Sequence, residues 1–155
     1  MTPEYRQNFI KGAEYQDFIM ERLYEQGIVL ASYSSKKYQV KYGENKAGIE
    51  IKFDGRMKET GNVYFEISEK SDPHNLEFIA SGIFRNDNTW LYVIGDYEVA
   101  YVCGKSHLRL IYERETGKKK TSAEIKETPT SKGMILPQKY VEERLALKTL
   151  RFERR

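Results

Sequence analysis

With 155 residues, 39% of them hydrophobic and 13% aromatic, the chain is long enough to bury a core without disulfides or a structural metal, and too apolar for wholesale disorder. Its 26 Lys and Arg against 23 Asp and Glu leave a formal charge of +3, which permits a polyanionic partner without demanding one. One Cys and two His exclude a disulfide framework and a zinc-finger set, so chemistry must come from carboxylates and lysines. No apolar run comes near the roughly 20 residues needed to cross a bilayer, and no charged-then-apolar leader opens the chain. These features point to the reducing cytoplasm and to no membrane partner.

Thr2-Pro3-Glu4 is a helix start and Gly27 a stop, which predicts a helix over residues 3–26. Its broad apolar face gathers Phe9, Ala13, Ile19, Met20 and Leu23, while Glu14, Asp17 and Glu21 line another. β-rich segments follow at residues 28–33 and around 37–41. Residues 48–54 and 63–70 then alternate strictly on either side of Glu59-Thr60-Gly61, a three-residue hairpin turn with Gly61 in the left-handed position. Residues 71–88 read as loop. Residues 89–94 and 97–102 pair across Gly95-Asp96, with Gly first as a type II′ turn prefers. Helices over about 106–115 and, after Pro137, about 138–151 complete the chain. The expectation is a single α+β domain: an N-terminal helix packed on a mixed β-sheet with a central hairpin, and a C-terminal helix.

The central hairpin carries the candidate chemistry. Pairing Lys58 with Asn62 sets Asp54 opposite Glu66, Lys52 opposite Ser68 and Glu50 opposite Lys70, all on one side of the sheet. Ile49, Ile51, Phe53 and Met57 join Val63, Phe65 and Ile67 on the other. Like charges directly across a ladder repel, so Asp54 beside Glu66 asks for a cation. A hard divalent ion, Mg²⁺ or Mn²⁺, takes one or two carboxylates plus waters and phosphate oxygens, and it polarises a phosphoryl oxygen. A lysine nearby stabilises the developing charge or orients the attacking water, and Lys52 is one rung away. The bland alternative is a solvated ionic face with an ordinary Glu50–Lys70 pair.

These residues resemble those of the PD-(D/E)xK, restriction-endonuclease-like nucleases, whose core is a helix followed by a β-hairpin with Asp on one strand and acidic-x-Lys on the next. The strings Gly43-Glu44-Asn45, Gly48-Ile49-Glu50-Ile51-Lys52-Phe53-Asp54, Glu66-Ile67-Ser68-Glu69-Lys70 and Asn86-Asp87-Asn88-Thr89-Trp90-Leu91-Tyr92 are similar to those of small phage and prophage members, over about residues 10–103. The resemblance implies a Mg²⁺-dependent deoxyribonuclease of a bacterial or phage-infected cell, with Asp54 and Glu66 as metal ligands. Glu14 on the first helix would complete the site. Phe53 replaces the Pro before the Asp, and Gln16 falls where a helix Glu is expected, leaving Glu14, Asp17 or Glu21. Ser68 fills the lysine slot, so the positive charge falls to Lys52, with Lys70 second, or else the site has lost activity and the fold serves as a non-catalytic binding module. A competing alignment takes Glu50-Ile51-Lys52 as the acidic-x-Lys unit with Glu44 upstream, a spacing too short for an intervening hairpin. DNA is the implied partner, and a symmetric homodimer would make two cuts in a duplex most readily.

Other residues have weaker claims. Trp90, Tyr92, Tyr97 and Tyr101 are expected in the core rather than stacked on bases. Lys36-Lys37, Lys118-Lys119-Lys120 and Arg151, Arg154 and Arg155 are basic clusters, either touching phosphates or solvated. Ser34-Ser35-Lys36-Lys37 followed by Gln39 resembles the segment before the catalytic hairpin in the phage proteins, and Gln39 either approaches the site or is an exposed strand residue. Arg85 to Asn88 form a turn or meet a phosphate backbone, and His74 is a loop residue without a role.

Overall fold

The computed structural model describes residues 2–115 and 123–153; Lys118-Lys119-Lys120, Arg154 and Arg155 lie outside them. Helix α1 (Pro3–Glu25) begins where Thr2 accepts a hydrogen bond from the Tyr5 amide at 3.2 Å, with Pro at its first position. It ends in a Schellman arrangement: the Gly27 amide donates to Tyr24 O and the Ile28 amide to Leu23 O, both at 2.9 Å. Tyr15, Ile19 and Leu23, spaced by four, form its buried stripe, whereas Phe9 and Ala13 of the expected face are exposed.

The next two segments differ from expectation. Residues 28–33 make only an isolated bridge, Ser32 to Asn45, and residues around 37–41 fold as helix α2 (Lys36–Tyr42). Ser35 explains the change: its hydroxyl accepts from the Tyr38 amide at 3.3 Å, a cap that local alternation does not reveal. Then come β1 (Ile49–Phe53), a one-turn helix α3 (Met57–Thr60), β2 (Asn62–Glu69), the short β3 (Ile79–Ala80), a 3₁₀ turn at Gly82–Phe84, β4 (Leu91–Gly95), β5 (Val99–Gly104) and α4 (Lys105–Glu115). Strands β6 (Glu124–Glu127) and β7 (Ser131–Pro137) follow. A turn α5 (Gln138–Tyr140) runs into π-helical Val141–Leu145 before β8 (Ala146–Arg151). The expected C-terminal helix is thus half strand, because β8 pairs with the edge of β5, and an edge ladder left bare is costly.

Two four-stranded sheets result, ordered β1-β4-β5-β8 and β3-β2-β7-β6. The first is mixed, since β1 runs parallel to β4, and the second is antiparallel. The central hairpin is not formed: β1 and β2 belong to different sheets. Residues 57–60 close a helical turn, capped by Gly61 in the left-handed conformation (φ 68°), and this turn redirects the chain out of the first sheet. Hydrophobic pairing then decides. Ile51 packs with Tyr15, Ile19 and Leu23 of α1 on one face, while Val63, Phe65 and Ile67 pack with Met134, Leu136, Tyr92 and Leu108. Each buried Ile, Val or Phe contributes about 1.5–3 kcal/mol, so two separate apolar faces outweigh one local ladder.

The hairpin of β4 and β5 does form, but Ile94 pairs with Tyr101. Its loop is longer than two residues because the Asp96 carboxylate accepts from the Glu98 and Val99 amides, at 2.8 and 3.0 Å. Tyr92 and Tyr101 lie in the core as expected, whereas Trp90 is 59% exposed, its indole donating to Ala47 O at 2.7 Å. No helix among the described residues is long and apolar enough to cross a membrane.

Candidate functional site

Alternation along β1 turns Ile49, Ile51 and Phe53 toward α1 and leaves Glu50 and Lys52 on the opposite face. The Lys52 ammonium lies 2.7 Å from Glu50 Oε1, and Glu50 Oε2 accepts a long hydrogen bond from Thr89 Oγ1 at 3.4 Å. Glu44 reaches the same neighbourhood through a tight turn. The buried side chain of Asn45 grips Ile49 twice, accepting from its amide at 3.1 Å and donating to its carbonyl at 2.6 Å. Asn88 locks the turn by donating to Asn45 O at 2.7 Å. One oxygen of Glu44, Oε2, is buried with no hydrogen-bond partner among the described residues.

The charges shape one another. Although 43% of the Lys52 side-chain surface is accessible, its ammonium is crowded by protein, which disfavours the cation. The carboxylates of Glu50, Glu44 and Glu66 outweigh that effect and hold it above the ordinary lysine range. Burial raises the Glu44 carboxyl, Lys52 pulls it down, and the Glu50 charge pushes it up again. Beside Glu50, the Tyr92 hydroxyl is driven far up by burial and by the Glu50 and Asp87 charges.

Between the sheets lies a cleft of about 530 Å³, with Val63, Phe65, Ile83 and Ile94 for its apolar wall and Lys52, Asp54, Tyr64, Glu66 and Lys126 among its polar lining. This combination of apolar wall and convergent polar groups is that of a ligand site. Glu66 is fixed by two hydroxyls: Ser81 donates to Oε1 at 2.8 Å and Ser131 to Oε2 at 3.2 Å. Because Ser131 gives its proton to Glu66, the Tyr64 hydroxyl, 2.5 Å away, donates to Ser131. Asp54 accepts from the Tyr64 amide at 3.0 Å and the Arg56 amide at 3.2 Å. Burial raises its carboxyl, those amides oppose the shift, and the Asp96 charge adds to it.

Asp54 and Glu66 therefore line one cleft without facing each other across a ladder. Glu66 instead pairs in β2 with Gly133 of β7. Among the described residues no three His, Cys, Asp or Glu side chains come together closely enough to hold a metal. Glu14 is exposed on α1, the helix covering the sheet face away from Lys52. Lys70 is drawn to the Phe78 ring, 4.3 Å from its centroid, and so neither pairs with Glu50 nor lines the cleft. Ser68 sits between Ala80 and Lys132, not opposite Lys52. Gln39 braces α2 by donating to Tyr33 O. Arg85 and Asp87 are taken by Glu69 and Lys105, which makes their segment a structural turn.

Of the competing grouping, Glu50 pairs with Lys52, and the charges of both act on Glu44, which the Asn45 turn brings toward β1 without a hairpin. Tyr64, Ser81, Ser131 and Tyr92 are not among the site residues that the sequence suggests; only Tyr92, within one of the strings carrying the resemblance, gave any signal. No family model, curated protein or solved structure matches this chain.

Proposed function

We propose that the protein hydrolyses DNA phosphodiester bonds with a divalent cation, in the manner of the PD-(D/E)xK nucleases, through a centre at Glu44, Glu50 and Lys52, the last of which lines the cleft together with Glu66. The observation that carries this reading is the Glu50–Lys52 ion pair beside the unpartnered oxygen of Glu44. Two carboxylates, completed by waters and phosphate oxygens, suit Mg²⁺ or Mn²⁺, which would supply Lewis-acid polarisation of the phosphoryl group. Glu44 and Glu50 would hold it. Lys52, kept charged well above neutral pH, sits where it can offset the negative charge that develops as water attacks. Asp54 and the Tyr64–Ser131–Glu66 chain border the space a scissile phosphate would enter.

A second reading, a non-catalytic nucleic-acid-binding module, is favoured by the hydrogen bonds that already engage every oxygen of Asp54 and Glu66, as structural carboxylates would be. Plasmid nicking in MgCl₂ or MnCl₂ separates the two. Glu50→Gln and Lys52→Met are each expected to lower the rate by about a hundred-fold or more, the size of effect that follows loss of one charge-stabilising group. Glu14→Gln, remote from the cleft, should leave it unchanged. A parent protein that cuts nothing with either metal leaves the binding module, and undiminished cutting by both the Glu50 and the Lys52 variants removes the proposed centre.

A further inference from the structure

The segment from Tyr33 to Lys46 puts aromatic rings and positive charge on one exposed strip. The Ser35 cap and the Gln39 brace fix α2, and its pitch sets Tyr38 and Tyr42 one turn apart with Tyr33 against both. The three ring centroids are 5.4, 5.8 and 6.1 Å apart, with planes tilted by 50°, 45° and 42° respectively. Tyr38 and Tyr42 nevertheless remain 51% and 40% exposed, and Val40 beside them is bare too. Lys36, Lys37, Lys41 and Lys46 are exposed along the same segment, and the Lys41 ammonium lies 4.9 Å from the centroid of Tyr42. Glu44, the one acid in this segment, is drawn inward beside β1.

Such a face repels a second copy of itself and attracts a polyanion. Rings add a requirement that phosphates alone do not, namely a partner with flat faces to stack. A duplex hides its base faces in the stack, whereas an unpaired strand offers them, and base–aromatic stacking with a basic track is how single strands are held without sequence preference. We propose that this face is a platform for single-stranded DNA, with bases stacked on Tyr38 and Tyr42 and phosphates running along Lys36, Lys37 and Lys41. The choice of DNA rests on the proposed function, whereas the stacking of an unpaired strand does not.

The test is fluorescence anisotropy of a labelled oligodeoxynucleotide of about 20 residues with the full chain in EDTA, where metal-dependent cutting is silent. Tyr38→Ala/Tyr42→Ala should weaken binding about ten-fold or more, and Tyr38→Phe/Tyr42→Phe should retain it, because stacking needs the ring and not the hydroxyl. Lys36→Gln/Lys37→Gln should flatten the dependence of log K on log salt by about 0.7 for each phosphate that is no longer neutralised. Unchanged affinity in the alanine pair overturns the proposal, as does duplex bound as tightly as the single strand, or RNA of the same sequence bound ten-fold tighter. Binding that needs the tyrosines while the parent cuts nothing in Mg²⁺ sinks the hydrolase reading alone, and cutting with tyrosine-independent binding sinks the platform alone.

Discussion

Three carboxylates, Glu44, Glu50 and Glu66, act on a single ammonium, that of Lys52, and only Glu50 pairs with it directly. Two charges 4 Å apart interact by about 4 kcal/mol at the dielectric of a protein surface, so one cation cannot satisfy all three at once. The shortfall lands on Glu44, whose carboxyl holds its proton more tightly than the ordinary value of 4.5, first through burial. Between the unfolded value and the raised folded one, folding takes up a proton, so this residue's contribution to stability falls as pH rises through that window. Glu44→Gln removes the penalty. The variant should therefore be more stable than the parent at about pH 7 and equal to it near pH 4, where both side chains are neutral. Urea midpoints measured across that range check the sign, and a variant less stable at neutral pH would show that the Glu44 charge is favourable in the fold.

Elements whose signals are local were legible in the sequence. Thr2, Pro3 and Gly27 bound α1 to within a residue, α4 starts one residue early, and β4 and β5 pair as a hairpin, although the Asp96 turn shifts their register. Elements defined by a distant partner were not. Alternation in β2 picks out Val63, Phe65 and Ile67 as its buried face, but a period of two says nothing about which strand lies alongside. So Lys52 and Asp54 line one cleft and Glu50 pairs with Lys52, while the rung between Asp54 and Glu66 does not form. Ser81 and Ser131, which fix Glu66, come from a 3₁₀ entry and from β7, neither of which leaves a mark near residue 66. That approach of the 3₁₀ turn to β2 has a sharp steric basis. Gly82 has φ 53°, and a Cβ there would collide with the backbone carbonyl of Glu66. Gly82→Ala should cost at least about 3 kcal/mol, since backbone rather than a flexible side chain must move. It should also disturb Glu66, so urea unfolding with plasmid nicking is the measurement. A loss below about 1 kcal/mol would mean that the 3₁₀ turn can shift away from β2.

At the scale of the molecule, the parallel pairing of β1 with β4 forces the long crossover between them, and that excursion builds β2 and β3 of the second sheet. The two sheets, and the cleft they enclose, thus depend on where the crossover re-enters β4. Lys105, at the start of α4, anchors that point: its ammonium donates to Arg85 O at 2.6 Å and to Asp87 Oδ1 at 2.9 Å. Both side chains of the pair are enclosed, 5% and 2% exposed. Burial works against the Asp87 charge, yet hydrogen bonds from Lys105 and the Thr89 amide hold its carboxyl below the usual 3.8. A depressed carboxyl contributes stability that is present above its unfolded value and is lost as pH falls through the folded one. Lys105→Met leaves Asp87 enclosed and uncompensated, and should cost about 3–5 kcal/mol at neutral pH. Asp87→Asn/Lys105→Met should recover part of that loss. The deficit of the single variant should also shrink below about pH 4, where Asp87 takes up a proton and no longer needs the ammonium. Urea unfolding of the three proteins at neutral and acid pH decides it: a pH-independent deficit would assign the loss to packing of the lysine stem, and the crossover would then be held by its apolar contacts alone.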